Sequence, residues 1–279
     1  MRTILFMIIV SLLLIPTIEA QAQTPGAFLG HLTWPEAEER LKTAEVVILP
    51  FAAGAKEHGP HLPMNADQNV MEYLCRAAVD SVPVLVAPPI LHGWFAAFRD
   101  YPGTEISDAA VFRDYVYQAA RSLIRSGARR IVLLNMGVSR ASGLPMAIAA
   151  REIRTELEVP VLLISWDDLE TKEVELIQEQ KRGGHADEIE TSINLYLNPQ
   201  WVHMDRAVRD DALPGPGKKY PGYKPGLFSR NSKDPAYSET GLFGDPTLAT
   251  TEKGKKILAI MTRNWIRALK GFSKSRLPQ

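Results

Sequence analysis

The chain has a single cysteine, Cys75. No intramolecular disulfide can form, and a cysteine-based zinc cluster is excluded. Any metal site must be built from His, Asp and Glu. The chain also lacks an excess of either charge, since 32 Lys and Arg oppose 32 Asp and Glu. A neutral chain has no general pull toward DNA, RNA or anionic lipid, so nucleic acid is not an expected partner. Beyond its first residues it has no hydrophobic run of transmembrane length. Its 279 residues are 23% charged and 46% hydrophobic. That balance excludes a disordered chain, a collagen-like fibre and a coiled coil.

The long apolar run that does exist lies at the start. Ile4 to Ile15 is almost unbroken. Twelve helical residues rise about 18 Å, too little for a hydrocarbon core of about 30 Å. Arg2 precedes the run, and Ala20-Gln21-Ala22 supplies the small-x-small pattern of a signal-peptidase site. The expectation is a signal peptide over residues 1–22 and a single domain over 23–279. Such a protein is exported, periplasmic or secreted, with no stable membrane insertion after cleavage.

The rest alternates strands and helices. Glu45–Pro50, Val82–Ala87, Arg130–Leu134 and Val159–Ser165 are short, apolar and β-branched, as strands buried on both faces are. Between them lie helical patterns at Trp34–Thr43, Asp67–Val79, Asp108–Ser126 and Ser142–Leu157. Ile189–Leu197 and Thr251–Gly271 follow. This alternation predicts an α/β fold, a three-layer sandwich with a mainly parallel central sheet. Two segments interrupt it. Ile90–Ile106 is aromatic-rich, and Pro214–Gly226 holds four Pro and four Gly. Both read as lids, binding loops or solvated surface excursions.

Chemistry-bearing residues cluster after the strands, where open α/β sheets bind ligands. Lys56-Glu57-His58-Gly59-Pro60-His61-Leu62-Pro63 follows the first strand, with Asp67 close behind. Two His, a Glu and an Asp in a loop stiffened by two Pro suit zinc or manganese. They equally suit histidines bonded to backbone. His185-Ala186-Asp187-Glu188-Ile189-Glu190-Thr191-Ser192 opens a helix after Gly183-Gly184. A His and a Glu there suit proton transfer or metal ligation, but also an ordinary acidic first turn. Asn135-Met136-Gly137-Val138-Ser139-Arg140 offers Gly and Ser for close approach of a ligand. Gly241–Gly254 reads as an Asp-Pro turn with a Thr cap.

Taken together, these segments resemble the creatininase (creatinine amidohydrolase) family. The family pattern runs Glu-Gln-His-Gly-Pro-His-Leu-Pro with a following Asp. A Pro-Gly-Thr loop, Asn-Gly-His-Gly-Gly-Asn, His-Ala-Gly-x-x-Glu-Thr-Ser and Gly-Asp-Pro come after it. This chain matches at His58-Gly59-Pro60-His61-Leu62-Pro63 with Asp67, then Pro102-Gly103-Thr104 and Asn135. It matches again at His185-Ala186 with Glu190-Thr191-Ser192, and at Gly244-Asp245-Pro246. The resemblance implies metal-dependent hydrolysis of C–N bonds in amides. It also implies a homo-oligomer, a hexamer in many members. It assigns one metal to His58, Asp67 and Glu190, and gives His185 the role of a proton shuttle.

The departures from the family are as informative. A second family metal takes the Glu two residues before the first His, plus ligands from the Asn-Gly-His segment. Here those positions hold Lys56, Gly137 and Ser139. Only Asp67, the bridging residue, is retained. Glu57 is displaced by one residue, and on extended chain it points the opposite way. An ammonium is a compact charge with three donors. We therefore expect one divalent metal per chain, zinc in preference to manganese, with Lys56 standing where a second would be. Lys56 could also steady an oxyanion. Trp166 and Ser139 are candidate contacts for a small-molecule substrate, with Glu57 and His61 as supports behind the ligands. The expected activity is hydrolysis of a C–N bond, other than a peptide bond, in a small or cyclic amide. The alternative is a noncatalytic descendant that binds a small ligand or a partner.

Overall fold

The computed structural model describes residues 25–137, 143–210, 228–230, 232–233 and 237–277. The expected signal peptide, the Pro214–Gly226 loop and Ser139 lie outside these residues. Among the described residues five parallel strands form one sheet: β1 (Ala27–Phe28), β2 (Val46–Phe51), β3 (Val84–Val86), β4 (Ile131–Asn135) and β5 (Val161–Ser165), in the order β1-β3-β2-β4-β5. The α-helices are α1 (Trp34–Thr43), α2 (Ala66–Ser81), α3 (Ala109–Arg125) and α4 (Gly143–Glu156). Two short ones follow, α5 (Trp166–Leu169) and α6 (Lys172–Glu175), and then α7 (Glu188–Leu197) and α8 (Thr251–Ser273). Among the described residues no helix is long and apolar enough to cross a membrane.

The three layers follow from side-chain alternation along β2. All six of its residues are buried. Val46 and Ile48 join the apolar cluster built with α2, α7 and α8, centred on Leu74, Ile193, Met261 and Trp265. Val47, Leu49 and Phe51 join the opposite cluster, with Phe112, Val116 and Ala120 of α3 and Met146, Ala149 and Ile153 of α4. Period-two alternation in a central strand thus gives each face of the sheet its own core.

Two expectations need adjustment. β5 is an edge strand, and only Ile164 of it is fully buried, so its apolar run is not buried on both faces. The edge strand β1 was not anticipated, because two residues carry no period. Its place depends on Gly26, where a Cβ would come within 2.9 Å of Val79 Cα and the Val82 carbonyl oxygen.

The sheet's carboxyl edge carries the loops of interest. The loop after β2 is fastened to its neighbours by Ala52 N–H to the Ile90 carbonyl (3.2 Å), Gly54 N–H to the Leu91 carbonyl (2.9 Å) and Lys56 N–H to the Met64 carbonyl (3.0 Å). Residues Ile90–Ile106 are no loose excursion. They contain a 3-10 turn at Ala96–Phe98, and Phe95, Phe98 and Tyr101 are buried.

Candidate active site

The loop after β2 places Lys56, Glu57, His58 and His61 inside the protein, and all four are buried. Gly59 lets it turn, with φ +68°. The Pro102-Gly103-Thr104 motif braces it. Thr104 Oγ1 accepts the Glu57 N–H at 3.1 Å, and Glu105 N–H reaches the Ala55 carbonyl at 3.0 Å. Asp67 sits in the first turn of α2, facing the same centre.

Asp67 is the hub. Its Oδ2 lies 2.8 Å from Lys56 Nζ, and its Oδ1 lies 2.9 Å from His58 Nε2. Burial opposes its charged form, yet Lys56 and His58 outweigh burial and hold its pKa far below the usual carboxylate range. Lys56, only 2% exposed, also lies 5.4 Å above the Phe98 ring, a cation–π contact. A solvated surface lysine is thereby excluded.

His58 Nδ1 donates to the Lys56 carbonyl at 3.0 Å. Its other nitrogen, Nε2, is an acceptor unless it carries a proton, and it faces Asp67 Oδ1, itself an acceptor. Two acceptors 2.9 Å apart need a proton or a cation between them.

The second segment enters through a strained turn. Gly184 has φ +140° and Ala186 φ +49°, a conformation that costs a non-glycine residue about 1–3 kcal/mol. An antiparallel bridge holds it, with Phe243 N–H to the His185 carbonyl at 2.8 Å. Asp187 caps α7 by accepting the N–H groups of Ile189 (2.9 Å) and Glu190 (3.1 Å). His185 Nε2 meets Glu57 Oε2 at 2.9 Å, and its Nδ1 is 3.8 Å from Glu190 Oε2. Glu190 Oε2 accepts the Ala186 N–H at 2.6 Å. Burial, only partly offset by His185 and Lys56, pushes the Glu190 pKa up to about 7. Burial also opposes charge on Glu57, but His185 and the Gly59 N–H outweigh it and pull its pKa below the usual value.

The donor chemistry fits one metal better than two. Among the described residues, the carboxyl groups of Glu57, Asp67 and Glu190 are grouped with the ammonium of Lys56, an excess of acidic oxygens that suits a cation. His58 and Asp67 already face each other as ligands do, while Glu190 is turned to the Ala186 N–H. Among the described residues no three His, Cys, Asp or Glu side chains stand as a ready-made metal cage. A metal held by all three thus requires Glu190 to turn. A second ion fits poorly. Lys56 holds the other oxygen of Asp67, and a Cβ on Gly137 would lie 2.8 Å from Phe51 Cε1.

His61 and Trp166 are held by partners of their own. His61 Nε2 pairs with Thr191 Oγ1 at 2.8 Å. Burial, reinforced by His58, pulls its pKa down to about 4, so it stays neutral at neutral pH. Trp166 packs in the α2–α7–α8 core, and its indole N–H donates to Glu170 at 2.9 Å. Gly241–Gly254 is the expected structural turn. Asp245 accepts the Thr247 N–H, and Thr250 caps α8. Sequence reasoning missed Phe98 and Phe228. Their rings stack at 5.4 Å, and Phe98 lies 4.2 Å from the His185 ring. The aromatic richness of Ile90–Ile106 was the available signal for Phe98.

Known proteins share this fold. A family model described as Creatininase, creatinine amidohydrolase, matches residues 30–269. The creatinine amidohydrolase of Pseudomonas putida is 30% identical over 254 residues, 84% of this chain and 93% of that one. A mycofactocin precursor peptide peptidase of Mycolicibacterium smegmatis is 25% identical over 264 residues, 90% and 97% of the two chains. Among solved structures, a creatininase designated Mn has a TM-score of 0.73 at 27% identity, covering 90% of this chain and 100% of its own. A mutant creatininase of Zn-Zn type has a TM-score of 0.74 at 28% identity, covering 89% and 98%. These relatives are hydrolases, and the two structures are designated by divalent metals. By sequence and by fold, the chain belongs to the creatininase family.

Proposed function

We propose that this protein is an exported, metal-dependent amidohydrolase that cleaves a C–N bond of a small or cyclic amide with one divalent metal per chain. The carrying observation is the buried group Lys56, Glu57, His58, Asp67 and His185, with the carboxyl group of partly buried Glu190 beside His185. In this reading His58, Asp67 and Glu190 hold the ion, zinc in preference to manganese. The bound ion supplies a Lewis acid and an acidified water.

The chain's own residues do the rest. His185 takes a proton from the attacking water as oxygen bonds to the carbonyl carbon. It returns that proton to the leaving nitrogen as the C–N bond breaks. Lys56 holds Asp67 in place and offers its remaining N–H donors to a developing oxyanion. Phe98 and Phe228 present an apolar wall beside His185 that excludes water. Trp166 and Ser139 are retained as candidate substrate contacts. Export rests on the Met1–Ala22 pattern, and mass determination of the secreted protein, expected to start at Gln23, checks it. A homo-oligomer, a hexamer by family resemblance, completes the reading, and sedimentation velocity tests it.

Relatives named for creatinine and for a precursor peptide define the screen. Cyclic amides, linear amides and short peptides should be offered to metal-loaded protein. Hydrolysis of a small or cyclic amide, abolished in His58→Ala and in His185→Asn, is the expected result. No turnover of any amide by folded, metal-loaded protein would favour the noncatalytic binding role.

A further inference from the structure

His185 uses its two nitrogens differently. Nε2 faces two acceptors, Glu57 Oε2 at 2.9 Å and the Glu57 carbonyl at 3.1 Å. It must therefore carry the proton. Nδ1 lies 3.8 Å from Glu190 Oε2, beyond hydrogen-bond reach, so among the described residues no acceptor holds a proton there. The Glu57 carboxyl group is itself pinned. Its Oε1 accepts the Gly59 N–H, and it rests against Gly241, where any side chain would collide with it. Phe98 at 4.2 Å and His58 at 5.2 Å fix the plane of the His185 ring.

The resembled family pattern has Gln at this position, so the carboxylate belongs to this chain. The backbone carbonyl alone would select the tautomer. The carboxylate adds a charge-assisted bond, about twice as strong as a neutral one. Lys56-Glu57 thus stands in place of Glu-Gln, with the negative charge moved one residue along and turned from Asp67 toward His185.

We propose that Glu57 is the positioning residue for His185, committing Nε2 as a donor so that Nδ1 is the nitrogen that exchanges the proton during hydrolysis. This rests on the hydrolase reading given above. The pairing itself is observable without turnover.

The test uses the full mature chain labelled with ¹⁵N in its histidine rings, His185 being assigned by loss of its signals in His185→Gln. Wild type should show a protonated Nε2, an unprotonated Nδ1 and a strongly downfield Nε2–H proton. In Glu57→Gln that proton should move upfield. On the amide that is hydrolysed, kcat should fall about 10- to 100-fold with KM within about twofold. Should Glu57→Gln fail to fold, Glu57→Asp keeps the charge on a shorter arm and should lose the downfield signal. An unprotonated Nε2 in wild type, an unmoved proton in Glu57→Gln, or an unchanged kcat overturns the proposal. A downfield proton that responds to Glu57→Gln in a chain that hydrolyses no amide supports the pairing and overturns the hydrolase reading.

Discussion

Lys56 Nζ lies 2.8 Å from Asp67 Oδ2 in a site where both side chains are almost wholly buried. This ion pair occupies the position at which the family pattern puts a ligand for a second metal. Removing one partner leaves the other charge buried and uncompensated, which costs about 3–5 kcal/mol. Lys56→Ala should therefore lower the stability of metal-free protein by that order, read in urea unfolding. A surface-like change below about 0.5 kcal/mol would contradict the buried pair.

Lys56→Glu tests the same relationship from the other side. A carboxylate there restores a ligand and removes the competing cation. Metal bound per chain should rise from about one toward about two. An unchanged count would remove Lys56 from any role in setting stoichiometry.

Glu170 provides a pH prediction away from the catalytic group. Burial, reinforced by Asp187, pushes its pKa from the ordinary 4.5 up to about 7. The folded state therefore holds the proton more tightly than the unfolded state. That contribution to stability is full below about pH 4.5 and is lost as pH rises through about 7. Glu170→Gln can still accept the Trp166 N–H. At pH 8 it should be more stable than wild type by on the order of 1–2 kcal/mol, with the two converging near pH 4.5. Thermal melts at both pH values check this, and a difference independent of pH would refute it.

Gly254 sets how closely α8 lies on the helix that carries Glu190. Any Cβ at 254 would collide with the backbone of Ser192. Ser192 Oγ also accepts the Thr250 N–H at 3.1 Å, and Lys253 bonds buried Glu188 at 2.5 Å. Gly254→Ala should cost about 1–3 kcal/mol despite the better helix propensity of Ala, and should reduce hydrolysis by shifting α7. A stabilised variant would show that the two helices can separate freely.

Much of this was legible in the sequence for physical reasons. Buried parallel strands are short apolar runs, and β2 and β4 were found within a residue of their bounds. β3 and β5 came out shorter than expected, since Val82 and Val159 flank strands rather than pair within them. At the site, residue types gave the candidate set but left two readings at nearly every position. Glu190 shows why. It caps backbone through Ala186, as an ordinary first-turn acid does, and also faces His185. The burial of Lys56 could not be read locally, because it depends on α2, Phe98 and the loop after β2 meeting in space. The Glu57–His185 contact joins residues 128 apart in the chain, so no spacing rule reports it.

Metal content per chain tests the central claim most directly. Protein lacking residues 1–22 would be measured by plasma mass spectrometry, with His58→Ala as the control. The account predicts about one zinc or manganese per chain in wild type and none in the variant. About two per chain would contradict the place given to Lys56, and none after metal loading would contradict the hydrolase itself.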